Sequence, residues 1–143
     1  MTLHDVAWAA GFFDGEGCVS MAKSARKGQP LPYYRVELIV SNTVKSPLDR
    51  LSELFGGRVV VARKAKGNRQ TVYQWKTSGT AHTARVLKEL LPWLTVKRQQ
   101  ALVALEAASL FGNVRKQQKK PDRPKLELLK QEMHRLNVRG NVA

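Results

Sequence analysis

The sequence predicts an α+β fold in which helix, two strands, helix and two strands are followed by further helices, the order αββαββα. Three observations predict it. Residues 3–13 carry helical periodicity behind a capping pair, residues 33–42 (YYRVELIVSN) alternate apolar and polar with a period of two, and residues 58–78 read as two strands flanking a basic turn. A chain of 143 residues holds one compact domain with a real hydrophobic core and is short for two.

The elements follow in order. Thr2 and Asp5 have capping-box spacing, and the first helix runs from about Leu3 to Phe13, punctuated by Gly15 and Gly17. In a first strand, 18–24, Val19 and Met21 alternate with Ser20 and Ala22, and RKGQPLP (26–32) supplies the turn. In the second strand Val36, Leu38 and Val40 point one way and Arg35, Glu37 and Ser41 the other, with Ile39 an apolar exception on the polar side. Ser46 and Pro47 open a short helix with Leu48, Leu51 and Leu54 that stops at Gly56 and Gly57. RVVVARK and TVYQWKTS then form a hairpin around AKGNRQ, with Tyr73 and Trp75 directed beneath the helices. A third helix, from about Thr80 to Leu91, puts Ala84, Leu87, Leu90 and Leu91 on its apolar side and is closed by Pro92, with Trp93 expected in the core. A fourth begins near Thr95 and carries Leu102, Val103, Leu105 and Leu110. The basic stretch 114–124 reads as a linker, either a solvated tail or a phosphate-contacting arm, before a last amphipathic helix at about 124–137. The whole, residues 1–143, is expected to be one domain with its core in 1–111.

Lys plus Arg number 25 against 11 for Asp plus Glu, a net charge of +14, far more than solubility needs; a polyanionic partner is expected. No apolar run approaches the roughly 20 residues that span a bilayer, and no basic-then-apolar leader opens the chain, so the expectation is a soluble intracellular protein, in a compartment left open. One cysteine, Cys18, excludes an internal disulfide, and three histidines lack zinc-ligand spacing, so any metal should be held by oxygen.

The stretch WAAGFFDGEG (8–17) places glycines on a helix, where each costs about 1 kcal/mol relative to alanine. Projected at about 100° per residue, Ala7, Ala10, Gly11 and Gly15 share a small face opposite Val6, Ala9, Phe12 and Phe13. Small residues at i, i+4 and i+8 allow a second helix to approach backbone to backbone; the alternative is that the glycines relieve crowding inside one domain. If two such helices cross at a symmetry axis, Glu16 lies beside its mate, and two close carboxylates repel unless cations sit between them, a geometry that suits Mg²⁺.

These residues resemble a known family. AAGFFDGEG (9–17) is similar to the motif of the LAGLIDADG homing endonucleases, with Ala10-Gly11, Asp14 and Gly15-Glu16-Gly17 in register. VSNT (40–43) and LTVKRQQ (94–100) match further family features at suitable distances. The resemblance covers most of residues 1–111 and implies the family's saddle-shaped antiparallel sheet, here with an extra C-terminal helix. It implies a homodimer meeting through Ala7, Ala10, Gly11, Asp14 and Gly15, a long near-palindromic double-stranded DNA target, intron homing, and staggered cleavage of both strands. Carried over, Glu16 is the metal-binding carboxylate assisted by the Gly15 carbonyl, Asn42 orders water, Lys97 supports the developing charge, and Asp14 ties down the helix end. Mg²⁺ is the implied cofactor, with Mn²⁺ or Ca²⁺ able to substitute for binding; no small-molecule cofactor and no membrane are implied. Ala9 and Glu16 depart from the commoner leucine and aspartate of the motif.

The polar strand faces then supply the DNA surface: Ser20, Ala22 and Ser24; Tyr33, Arg35, Glu37 and Ile39; Gln74 and Lys76. RVVVARK does not reveal which alternate residues face outward, so Arg58 and Arg63 are candidate base readers, and Lys64, Lys66 and Arg69 candidate phosphate contacts. A non-catalytic DNA-binding regulator on the same scaffold, or an intron RNA maturase, remains the alternative.

Overall fold

A computed structural model of the chain describes residues 1–25, 27–28, 31–111 and 122–138. Its elements are α1 (Leu3–Glu16), β1 (Gly17–Ser24), β2 (Tyr33–Asn42), α2 (Ser46–Phe55), β3 (Arg58–Arg63), β4 (Val72–Lys76), α3 (Thr80–Leu90), a single 3₁₀ turn at Leu91–Trp93, α4 (Arg98–Phe111) and α5 (Arg123–Asn137). Residues 26, 29 and 30 of the expected turn and 114–121 of the expected basic linker lie outside the described residues.

Four antiparallel strands form one sheet in the order β1-β2-β4-β3. One face buries Val19, Met21, Val36, Leu38, Val40 and Trp75 under the helices, and the opposite face carries none of them. That division follows from strand alternation, because a sheet covered on one side needs apolar side chains at every second position only.

Local chemistry explains the joints. The capping box forms as its spacing predicts: Asp5 N–H donates to Thr2 Oγ1 at 3.2 Å and Thr2 N–H to Asp5 Oδ2 at 2.9 Å. At Gly57 φ is +89°, and a Cβ there would stand 2.5 Å from the Lys76 carbonyl oxygen, so only glycine lets α2 turn this tightly into β3. Ser78 N–H donates to His82 Nδ1 at 2.9 Å, which leaves the proton on Nε2 to donate to the Phe55 carbonyl at 2.6 Å. β4 stops at Lys76, short of the first half of β2, and hydroxyls replace the missing strand. Leu38 N–H donates to Thr77 Oγ1 at 2.9 Å, and Thr83 Oγ1, fully buried, donates to the Val36 carbonyl at 3.1 Å.

Helix phase followed periodicity only in part: Leu87 and Leu90 are buried as expected, whereas Ala84 and Leu91 are half-buried. α3 buries His82, Thr83, Val86, Leu87 and Leu90, because the buried side is chosen partly by the polar joints just described. α4 buries Gln100, Ala101, Ala104 and Ala107 and leaves Leu102 47% exposed. α4 is wedged between the sheet, α3 and α5, and alanines allow that close approach where leucines would not. α5 is anchored by Leu126 and Met133, by Glu127 accepting from Tyr34 Oη at 2.6 Å, and by Asn137 Nδ2 donating to the Val19 carbonyl at 2.9 Å. Tyr73 and Trp75 pack in the core as expected, but Trp93 is 44% exposed, since the 3₁₀ turn aims it outward.

Candidate nucleic-acid interface and metal-binding helix end

The open face of the sheet is organised in cross-strand rows, because directly paired residues share a face. Ser24 stands opposite Tyr33, Ala22 opposite Arg35 and Ser20 opposite Glu37; the next row spans all four strands, Cys18, Ile39, Lys76 and Arg58. Ser41 and Gln74 follow with Val60. A bulge between Val61 and Arg63 sets Arg63 opposite Val72, which returns it to the open face. Pairing therefore resolves the ambiguity of RVVVARK: Arg58 and Arg63 both lie on the open side. Beyond them Arg63, Lys64, Lys66 and Arg69 line a cleft of about 410 Å³ at the hairpin tip, with no acid in its wall. Arg35 is steadied by Ser24, whose Oγ accepts from Nη1 at 2.9 Å, and by Glu37 at 4.0 Å.

The last turn of α1 holds two acids, Asp14 and Glu16, and no base, at the end where the helix dipole disfavours negative charge. Asp14 is compensated by its own chain. Its carboxylate accepts from the backbone N–H groups of Thr95, Val96 and Lys97 at 2.8, 3.1 and 2.9 Å, capping the approach to α4. This fixes Lys97 beside the end of α1, close enough for its ammonium to act on the Cys18 thiol. Asp14→Ala should cost about 1–2 kcal/mol in chemical denaturation, with Asp14→Asn losing less. An unchanged midpoint for the alanine variant would show that the three amides do not stabilise the fold. Glu16 is exposed and has no hydrogen-bonding or ion-pairing partner among the described residues.

Of the small face on α1, Gly11 and Gly15 are exposed, and a Cβ at either would meet nothing within 4 Å. Crowding inside the chain therefore does not explain these glycines. Ala7 is half-buried. Ala10 corrects the helical projection: it is 0% exposed, packed with Ala9 and Phe13 in the chain's own core, and offers nothing to a partner. Asn42 pairs with Tyr73 on the helix-covered side, and its Oδ1 accepts from Val44 N–H at 2.8 Å, so the residue closes a turn; it is the preceding Ser41 that lies on the open face. Ser41, Val60 and Cys18 are open-face residues that were not among the expected DNA contacts. Strict alternation pointed to Ser41, whereas the uniform run Val59–Val61 hid Val60.

A scan against family models and a search of curated proteins each returned no match. Solved structures do match across nearly the whole chain. I-CvuI, a homing endonuclease solved on a DNA target with magnesium, superposes with a TM-score of 0.76 at 25% identity, covering 99% of this chain and 89% of that one. The archaeal intron-encoded homing endonuclease I-Vdi141I, in complex with DNA, gives 0.70 at 17% identity over 96% and 86%. I-SmaMI, a LAGLIDADG homing endonuclease bound to cleaved DNA, gives 0.72 at 12% identity, over 93% of this chain and 45% of its own. This chain has the LAGLIDADG homing endonuclease fold.

On this LAGLIDADG scaffold the donor set can be tested against a divalent cation. Among the described residues no three His, Cys, Asp or Glu side chains cluster as metal ligands. Asp14 is committed to α4, which leaves one carboxylate, Glu16, and nearby backbone carbonyls such as that of Gly15. Those are hard oxygen donors suited to Mg²⁺, yet fewer than the roughly six it takes. Within the single chain they do not complete a metal's coordination shell. Cys18 makes a poor ligand, because burial pushes its thiol pKa up, with Lys97 opposing and Glu37 adding to the shift, so it stays protonated at neutral pH. Among the described residues no helix is long and apolar enough to cross a membrane.

Proposed function

We propose that the chain is a homodimeric, Mg²⁺-dependent, sequence-specific DNA endonuclease that cuts both strands of a long, near-palindromic target by water attack on phosphorus, leaving a staggered break. The observation that carries this reading is the unpaired Glu16 carboxylate at the exposed negative end of α1, where its neighbour Asp14 is fully compensated and Glu16 is not. Exposed and without an internal partner, that carboxylate is free to take a cation from outside the chain, which would also offset its unfavourable place at the negative end of the helix. The open glycine face leading to it supports a second copy of α1 as the neighbour, which would bring the two Glu16 side chains together. That the chain corresponds to 89% of I-CvuI but 45% of I-SmaMI is consistent with one unit of a two-unit assembly.

The residues divide the work. The open face, with Arg35, Lys76, Arg58, Arg63 and Gln74, seats the duplex, and the cations of the hairpin tip meet phosphates. Glu16 and the Gly15 carbonyl would hold the cation, which when bound would supply Lewis-acid stabilisation of charge developing on the phosphate oxygens. Lys97, held in place through Asp14, adds positive charge beside the scissile phosphate. Asn42 contributes through its free amide nitrogen and an intervening water.

The test is cleavage of a randomised duplex library by the full chain with Mg²⁺ and with chelator. A single long, near-palindromic site cut only with Mg²⁺ is the expected result. A site that is enriched by binding but never cut would instead favour the regulator, and no enriched sequence would remove DNA recognition altogether.

A further inference from the structure

We propose that Ile39 and Cys18 form an apolar step that reads the 5-methyl group of a thymine in the inner part of each half-site, one row outside Ser41, Gln74 and Val60, and that Arg35 reads a guanine about four base pairs further out. This assignment of base chemistry to the sheet rests on the endonuclease reading.

Ile39 is the apolar residue that breaks the polar alternation of β2. It lies on the face away from the helices, so the core does not account for it. It is paired with Cys18 on one side and Lys76 on the other, with Arg58 beyond, so this row is apolar at one end and cationic at the other. Arg58, on the edge strand β3, suits a phosphate; Ile39, on the interior strand β2 with Cys18 beside it on β1, suits the one base edge with an exposed methyl. Against cytosine or a purine edge the same pair would strip water from hydrogen-bonding groups and return nothing.

Position follows from the chain. Cys18 is two residues beyond Glu16 and is the first open-face residue of β1, so its row lies near the end of α1, with the row of Ser41, Gln74 and Val60 one step closer. Arg35 lies four residues along β2 from Ile39, about 13 Å at strand rise, which matches about four base pairs of duplex. Arg35 is also pre-oriented: Nη1 donates to Ser24 Oγ, Glu37 stands 4.0 Å from Nη2 and Nε is buried without a partner, so the guanidinium is held at its inner edge and its remaining Nη donors are the ones left for a base. Guanine N7 and O6 accept such a fork.

The experiment uses the wild-type full chain and the target selected from the randomised library. Each thymine is replaced in turn by uracil, which deletes only the methyl, and binding is measured in Ca²⁺. Uracil at one inner thymine, about four base pairs inside the guanine that Arg35 contacts, should weaken binding about fourfold per half-site, the order expected for one buried methyl. Ile39→Ser should abolish that difference, and 7-deazaguanine about four base pairs outward should weaken wild type but not Arg35→Ala. Uracil sensitivity confined to other positions, or surviving in Ile39→Ser, overturns the inference while leaving the endonuclease reading intact. A library that yields no enriched sequence overturns both.

Discussion

Glu16→Gln should lower cleavage at least about a hundred- to a thousandfold while specific DNA binding stays within a fewfold of wild type. The substitution keeps the volume and one acceptor but removes the charge that holds the cation. No hydrogen bond or ion pair among the described residues depends on Glu16, so the fold should not notice. Binding should, if anything, tighten in metal-free buffer, because a negative charge facing phosphates has gone. Single-turnover cleavage alongside electrophoretic mobility shift separates the two effects. Undiminished cutting by the glutamine variant would remove Glu16 from the mechanism.

Gly11→Val should convert a dimer into a folded monomer that no longer makes double-strand breaks. In the single chain an added Cβ meets nothing within 4 Å, and valine is a better helix former than glycine by a few tenths of a kcal/mol, so α1 should be unharmed. Where two α1 helices meet, the same atoms would occupy the space of the partner's backbone. Sedimentation velocity, with circular dichroism as the control for folding, reads this directly. A valine variant that remains dimeric and active would count against helix-on-helix association, and the glycines would need another cause.

The two variants probe one device from opposite ends, and the residue between them shows how it is assembled. Asp14 commits its carboxylate to the amides of Thr95, Val96 and Lys97, 81 to 83 residues away in sequence. That single joint brings the LTVKRQQ segment to the end of α1. Nothing in local periodicity announces it.

Much of the architecture was legible in the chain because strand alternation and capping are local. The bounds of β2, the Thr2–Asp5 box, the stop of α2 at Gly56 and the burial of Trp75 follow from spacing alone, and the sheet positions of Arg35, Glu37, Gln74 and Lys76 follow with them. Other features depend on neighbours and became visible only in the folded chain. Ala10 belongs to the core and not to the small face, since burial on a helix is set by what packs against it. The alanine face of α4 outcompetes its leucines because closeness there is worth more than side-chain area. Arg58 and Arg63 share the open face because pairing with β4 and one bulge determine it, and Asn42 leaves that face because it pairs with Tyr73. Residue order alone dictates which positions alternate, cap and carry charge; packing dictates which of them meet, because contact between distant segments is a property that no local pattern encodes.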